Sequence, residues 1–413
     1  MKKNLSRTPP RPGAKPRIAS PLEHLRPTPD LSSTPDVTRY VKTVVQCILW
    51  GKAGGRCEFS GHNKVLWKSS VTQEQVNIAQ KAHIYAFSEG GPRSSSEIGD
   101  DEINNLSNLI LVCHECHRKI DATKDGGRYT ATLLRQWKQE HEDRIERVTG
   151  IAREKTSHIV LYGANIGGHS ALINYQSAAT AMFPDRYPAD DNPIELSTIN
   201  SSLIDRDAAF WAVERDGLRR KFNQSVRERL AMRGIQHVSV FALAPQPLLI
   251  LLGTLLGDMV PCDIYQLHRE PPNWNWSSIT STATFQVQES ESRSGPAALV
   301  LALSATVVPD RIRALLGPDS SIWTVTVPEP HNDMMKSREQ LSELRTILRA
   351  LLDRIKALKG QLSPLHIFTA APLSAAVELG RIRMPKADMP WLIYDQVNAL
   401  GGFVPALTIG KGD

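Results

Sequence analysis

Apolar residues first recur at helical spacing in TPDVTRYVKTVVQCILWGKAGG, where Val37, Tyr40, Val41, Val44, Val45 and Ile48 form one stripe. Pro35 near its first turn and Gly51 at its end bracket a helix, and Cys47 beside the stripe is expected to be a buried thiol. Residues 55–87 break into short strands and turns, and 88–105 form a polar loop without a period. A second helical pattern, Tyr129–Val148, puts Leu133, Leu134, Trp137, His141 and Ile145 on one side. His141 on that side is expected to be packed or hydrogen-bonded, not a metal ligand.

The second half carries an internal repeat. FALAPQPLLILLG begins at Phe241 and FTAAPLSAAVELG at Phe368, and each copy then reaches an Ile-Tyr pair, Ile264-Tyr265 and Ile393-Tyr394. Each predicts strand, Pro-containing turn, amphipathic helix, strand. The apolar runs HIVLYG and AALVLAL supply further strands, and long helices are expected near 201–232 and 334–358. Two tandem α/β units forming a pseudo-symmetric pair follow from this. Ligands of open α/β sheets bind at the carboxyl ends of strands, beside helix N-termini, so two facing edges predict a symmetric pocket.

Composition adds a globular character over 413 residues, with 41% hydrophobic and 22% charged side chains. The charge is unevenly placed. Residues 1–150 hold 23 Lys and Arg against 17 Asp and Glu, whereas 151–413 hold 26 of each. The first part therefore suits a polyanion, with a merely soluble basic surface as the alternative. Residues 1–35, with eight Pro, read as a disordered tail. The start, MKKNLSRTPPRPGAKPRIAS, lacks the apolar core of a secretory signal, and no run of about 18 apolar residues appears, so no membrane partner is expected. Five Cys, two of them in a C-x-x-C, favour metal binding in a reducing cytoplasm over disulfides.

Cys57 and His62 in CEFSGH, with Cys113 and Cys116 of the C-x-x-C, supply four ligands for a structural tetrahedral Zn²⁺. His114 competes with His62 for the fourth place. A redox C-x-x-C is the rival, and it lacks its expected βαβ context.

His83 in IAQKAHIYAF, Asn108 in NLILVC and His117 in CHRKID interleave with these ligands. This His…Asn…His order over Cys57–Asp121 resembles the HNH nuclease family, in which a ββα hairpin holds one catalytic metal ion. The resemblance implies an α+β, zinc-stapled ββα-metal domain over 36–150. It also implies His83 as general base, Asn108 as the residue orienting it, and His117 as a ligand of Mg²⁺ or a similar divalent ion. Many HNH enzymes carry an acidic metal ligand just before the first His, and here that residue is Ala82. Asp121, four residues after His117, shares its face if a helix begins there, with a plain surface carboxylate as the alternative. Asp100, Asp101 and Glu102 stand in reserve.

After a linker at 151–157, residues 158–413 resemble the SAVED domain, an α/β ligand sensor of two fused CARF-like units. The resemblance lies in HIVLYGANIGG, SVFALAPQPLLILLG, IYQLHREPPNWNW and HIFTAAPLSAAVELGRIRMPK. An HNH domain fused to SAVED resembles the CBASS anti-phage effector nucleases. In that family a cyclic oligonucleotide such as 3′,2′-cGAMP, made by a partner nucleotidyltransferase, binds SAVED. Binding drives homo-oligomerisation, and the nuclease then degrades double-stranded DNA.

Candidate pocket residues are Trp274 and Trp276 for base stacking, Arg269, Arg381 and Lys386 for phosphate, and Tyr162 and Asn165 on a Gly-rich turn. For each, packing or a solvated surface is the competing reading, and Cys262 is expected to be a core thiol. Two further readings stand beside the gated nuclease: an ungated restriction-type HNH enzyme, and a zinc-stapled DNA-binding sensor without catalysis.

Overall fold

The computed structural model describes residues 40–87, 91, 93, 94, 99, 102–122, 127–197, 203–207, 209–258, 260–277, 284–397 and 402–410. The Pro-rich segment 1–35 and the reserve ligands Asp100 and Asp101 lie outside them. The chain divides into two compact units between Asp143 and Arg144.

The first unit contains α1 (Thr43–Lys52), β1 (Ala79–His83), β2 (Leu109–Cys113), α2 (His114–Ile120) and most of α3 (Ala131–Thr149). β1 and β2 are antiparallel, from Ala79 opposite Cys113 to His83 opposite Leu109. Every residue of β2 is buried, as its unbroken apolar run requires. α2 follows at once, with the Cys113 sulfur accepting from the Cys116 amide at its N-cap.

The α1 stripe differs from the sequence expectation. Val41, Leu49 and Ala53, with Val45 and Trp50, face the core, whereas Tyr40, Val44 and Ile48 are exposed. The stripe spans two neighbouring columns of the helix, and only one of them packs against β2. Cys47 lies on the outer side and is exposed, not buried. His141 does pack as expected, its Nε2 lying 3.0 Å from the Ala53 carbonyl. Beside it the buried Glu142 pairs with Lys52 at 2.7 Å and with Lys138.

The second unit runs β3 (Thr156–Gly163), α4 (Tyr175–Met182), β4 (Tyr187–Pro188), β5 (Ile194–Glu195) and α5 (Phe210–Phe222). α5 continues through a π-helical stretch into α6 (Glu228–Ala231), followed by β6 (Val238–Leu243), α7 (Gln246–Leu256) and β7 (Cys262–Ile264). A small antiparallel pair, β8 (His268–Arg269) and β9 (Pro272–Asn273), leads to β10 (Gln286–Gln288), β11 (Ala297–Ala302) and α8 (Pro309–Leu316). Then come β12 (Ser321–Thr326), α9 (Arg338–Lys359), β13 (Leu365–Ala370), α10 (Leu373–Arg381), β14 (Trp391–Val397) and β15 (Gly402–Ile409).

These strands make two open sheets. The first has the parallel order β4-β3-β6-β7, with β5 also on β3. The second has the order β10-β12-β11-β13-β14-β15, parallel except for its two edge strands. Parallel strands covered on both faces need the near-continuous apolar runs seen in HIVLYG and AALVLA.

The two sequence repeats are β6-α7-β7 and β13-α10-β14, one in each sheet. One core joins α7, α10, α9 and the inner faces of both sheets. On the outer faces the repeats also match ring for ring. Phe241 stacks on Tyr265 at 4.3 Å and 17°, and Phe368 stacks on Tyr394 at 4.5 Å and 17°. α9 begins with a capping box between Ser337 and Gln340. Among the described residues no helix is long and apolar enough to cross a membrane.

Candidate functional site

The first unit brings Cys57, His62, Cys113 and Cys116 together, each offering a ligand atom within 4.8 Å of the others. Among the described residues this is the only group of three or more His, Cys, Asp or Glu placed to hold an ion. His62 Nδ1 lies 3.6 Å from Cys113 Sγ and 3.2 Å from Cys116 Sγ. Zn–S bonds of about 2.3 Å imply ligand separations just under 4 Å, so the donor set fits a closed tetrahedral site. The Cys113 amide donates to Cys57 Sγ at 3.4 Å, and the Cys116 amide donates to Cys113 Sγ. Such contacts orient ligands and favour thiolates. Burial pushes the Cys57 and Cys116 thiols up, which a bound cation would reverse. His114 is exposed and lies outside the group.

His83 ends β1, and His117 stands on α2. The side-chain amide of Asn108 is engaged by backbone instead of the His83 ring: its Oδ1 accepts from the Tyr85 amide at 2.8 Å, and its Nδ2 donates to the Tyr85 and Ile103 carbonyls. Asn108 thus ties down the backbone leaving His83. At the His83 ring, Asn104 Oδ1 lies 3.0 Å from Nε2, and the Phe87 ring packs at 5.7 Å. Both Asn residues lie in one polar stretch, and only the fold separates the one that reaches the ring from the one that braces the loop.

Asp121 does share a face with His117, its Oδ2 lying 3.7 Å from Nδ1. Its Oδ1 accepts from Arg93 at 2.9 Å. The Arg93 guanidinium, buried, also donates to the Ile84 carbonyl (2.8 Å), the Ile120 carbonyl (2.8 Å) and the His83 carbonyl (3.3 Å). One side chain thereby clamps the end of β1 to the end of α2. Nothing in the local pattern around Arg93 marks it. His117 and Asp121 thus place one imidazole nitrogen and one carboxylate oxygen side by side.

The second unit holds a cavity of about 580 Å³. It opens at the carboxyl ends of the strands in both repeats, where paired edges place it, but its lining is not symmetric: Gln266 and Asp395 hold equivalent positions. Pro245 and Pro372, the N-caps of α7 and α10, both line it, as do Gln246, Gln266, Thr369 and Asp395.

Of the seven candidate ligand residues, Arg269 lines this cavity beside His268. Tyr162 is fully buried in the core, because β3 is covered on both faces. Trp274 is buried edge-on against Phe241 at 5.3 Å, and Trp276 is half-buried against His268. Asn165 Nδ2 donates to the Leu203 carbonyl at 2.9 Å, and its neighbour Ile166 lines the cavity in its place. Arg381 is buried on α10 and pairs with Glu378 at 3.0 Å, while Lys386 is exposed on the following turn. Neither lines the cavity. Cys262 is half-buried, its thiol pushed up to about 12 by burial.

Residues 218–409 match the profile of the SAVED family, the SMODS-associated and fused to various effectors sensor domain. The C-terminal unit therefore carries a SAVED sensor domain. Among solved structures, the chain is similar to the Acinetobacter baumannii Cap4 SAVED/CARF-domain containing receptor with the cyclic trinucleotide 2′3′3′-cAAA. That match has 13% identity and a TM-score of 0.40, covering 71% of this chain and 66% of the receptor. The Moraxella osloensis Cap4 receptor is similar at 13% identity and a TM-score of 0.36, with 68% and 61% covered. The chain thus spans just under two thirds of the length of these relatives. No curated protein matches it.

Proposed function

We propose that the chain is a cyclic-oligonucleotide-gated, metal-dependent DNA endonuclease of anti-phage defence. One observation carries the reading. A SAVED sensor domain is joined in one chain to a unit whose Cys/His cluster is interleaved with His83 and His117 on a strand–strand–helix segment.

With the Asn104 oxygen as acceptor, His83 Nε2 holds its proton and Nδ1 is left as the base that takes a proton from water. Asn108 and Arg93 hold the backbone carrying that ring. His117 and Asp121 would hold a Mg²⁺-like ion, which when bound supplies charge stabilisation at the phosphoryl oxygens. The Cys57, His62, Cys113 and Cys116 set would hold Zn²⁺ and fasten the segment. The ligand is a cyclic di- or trinucleotide in the cavity between the repeats, the substrate is double-stranded DNA, and ligand binding assembles copies of the chain. To move from one part active in a hundred to ninety-nine, the ligand must favour the active assembly by about 10⁴-fold.

The test is plasmid cleavage in Mg²⁺ by wild type and His83→Ala, with and without a panel of cyclic di- and trinucleotides. Cleavage with one compound and none with His83→Ala is the expected result. Cleavage without any compound would instead identify an ungated nuclease. DNA binding without cleavage under every condition would identify a non-catalytic sensor.

A further inference from the structure

We propose that Asp395 reads a nucleobase in the sensor cavity, its carboxylate accepting the ring N–H and exocyclic amine of a guanine, while its repeat counterpart Gln266 is occupied, so that the two halves recognise different bases. This inference rests on the reading of the cavity as a cyclic-oligonucleotide site.

The repeat defines the comparison. Gln266 follows Ile264-Tyr265 and Asp395 follows Ile393-Tyr394, so the two residues hold the same place in the two copies, and both line the cavity. Their situations differ. Gln266 is buried, and its Oε1 accepts from the Ser374 amide at 3.0 Å and from the Ser374 hydroxyl at 2.8 Å. Its Nε2 donates to the Leu267 carbonyl at 2.9 Å. Gln266 is spent on fastening the start of α10.

Asp395 has no such engagement. It is half-buried, it meets the Gln396 amide, and among the described residues no cation pairs with it. Asp205, which also lines the cavity, is the charge it feels, and burial together with Asp205 pushes its carboxyl up to about 7. Ionising Asp395 is therefore costly in the empty cavity, and a guest that brings N–H donors to its oxygens would favour the carboxylate again.

Thr369, 6% exposed, also lines the cavity, and among the described residues its Oγ1 has no hydrogen-bond partner. A rotation about its χ1 would turn that hydroxyl toward a polar guest. Thr369 and Asp395 come from neighbouring strands of the second sheet, whereas His268 and the cation Arg269 come from the first repeat. The cavity therefore offers Asp395 from the second half, and Asp205 with the cation Arg269 from the first. Guanine presents two adjacent donors on one edge, matching the two oxygens of a carboxylate. Adenine presents one donor beside a ring acceptor, which a carboxylate does not match.

The experiment is calorimetric titration of the full chain, wild type and Asp395→Asn, with cyclic di- and trinucleotides in matched 3′,5′ and 3′,2′ linkages. Each probe is prepared with adenine throughout, with one guanine, and with hypoxanthine in place of that guanine. Wild type is expected to bind one guanine probe about tenfold or more tighter than its adenine and hypoxanthine forms. Asp395→Asn is expected to bring the three within about twofold while still binding the all-adenine probe. Equal binding of the three by wild type, or undiminished discrimination in Asp395→Asn, would overturn the inference and leave the sensor reading intact. Failure of wild type to bind every probe would overturn both.

Discussion

Gly253 on α7 and Gly380 on α10 lie against each other's helix in a reciprocal crossing. A Cβ on Gly253 would come 1.9 Å from the Val377 carbonyl oxygen, and one on Gly380 would come 1.9 Å from that of Ile250. The two glycines close the two sequence repeats, so a feature visible as a repeat in one dimension is a contact between copies in three. It brings α7 and α10 close together, and the cavity is lined from the N-terminal ends of the same two helices.

Gly253→Ala and Gly380→Ala should each destabilise the C-terminal unit by about 2 kcal/mol or more, because the obstructing atoms are backbone and cannot rotate away. Gly168→Ala, where nothing lies within 4 Å of the added Cβ, should stay within about 0.5 kcal/mol of wild type. Urea unfolding followed on the C-terminal unit checks both.

The purified chain should carry one Zn²⁺ per molecule by elemental analysis. Cys57→Ser, Cys116→Ser and His62→Ala should each lower that ratio sharply, whereas His114→Ala should leave it at one, since His114 lies outside the ligand group. Chelation should abolish cooperative melting of the N-terminal unit. An unchanged zinc ratio in His62→Ala would reassign the fourth ligand.

Arg93→Ala should cost the N-terminal unit about 2 kcal/mol or more, because the Ile84 and Ile120 carbonyls lose their common donor. Arg93→Lys should recover only part of this, since one ammonium cannot reproduce the planar fork. Thermal melting of the three forms is the measurement.

Acid should weaken the C-terminal unit in a defined window. Burial lowers His237 from its ordinary 6.5 to about 4, against the pull of Asp263 at 3.7 Å. Its Nδ1 lies 2.8 Å from the buried Ser157 hydroxyl, in keeping with a neutral ring. Between these two values the unfolded chain binds the extra proton, so this stability is complete above about pH 6.5 and is lost as the pH falls toward 4. Melting temperature against pH should fall through that window, and His237→Gln should flatten the slope.

Much of the C-terminal fold is legible in the sequence, because parallel strands and their crossover helices leave long apolar signatures. The Phe-Pro-Gly spacing and the Ile-Tyr pairs both correspond to matched structure. The zinc-type ligand set is legible for a related reason: sulfur and imidazole are scarce, and their spacing is informative. The cavity lining is not. Gln266, Thr369 and Asp395 are single polar residues at strand ends, and only the pairing of two sheets brings them together. Aromatic residues in Gly- and Pro-rich stretches mislead in the opposite direction, since Trp274 and Tyr162 fill core space. On α1, two adjacent apolar columns share one pattern, and the choice between them is made by β2, far away in sequence.

The joining of both repeats in one chain also bears on how such a pocket can diverge. In a twofold dimer of identical subunits every substitution at the interface appears twice, so the pocket stays symmetric. Here position 266 could become Gln while position 395 became Asp, although Gly253 and Gly380 remain alike. Covalent fusion lifts that constraint, and the lining differs at 266 and 395 while the Gly253–Gly380 crossing keeps its symmetry.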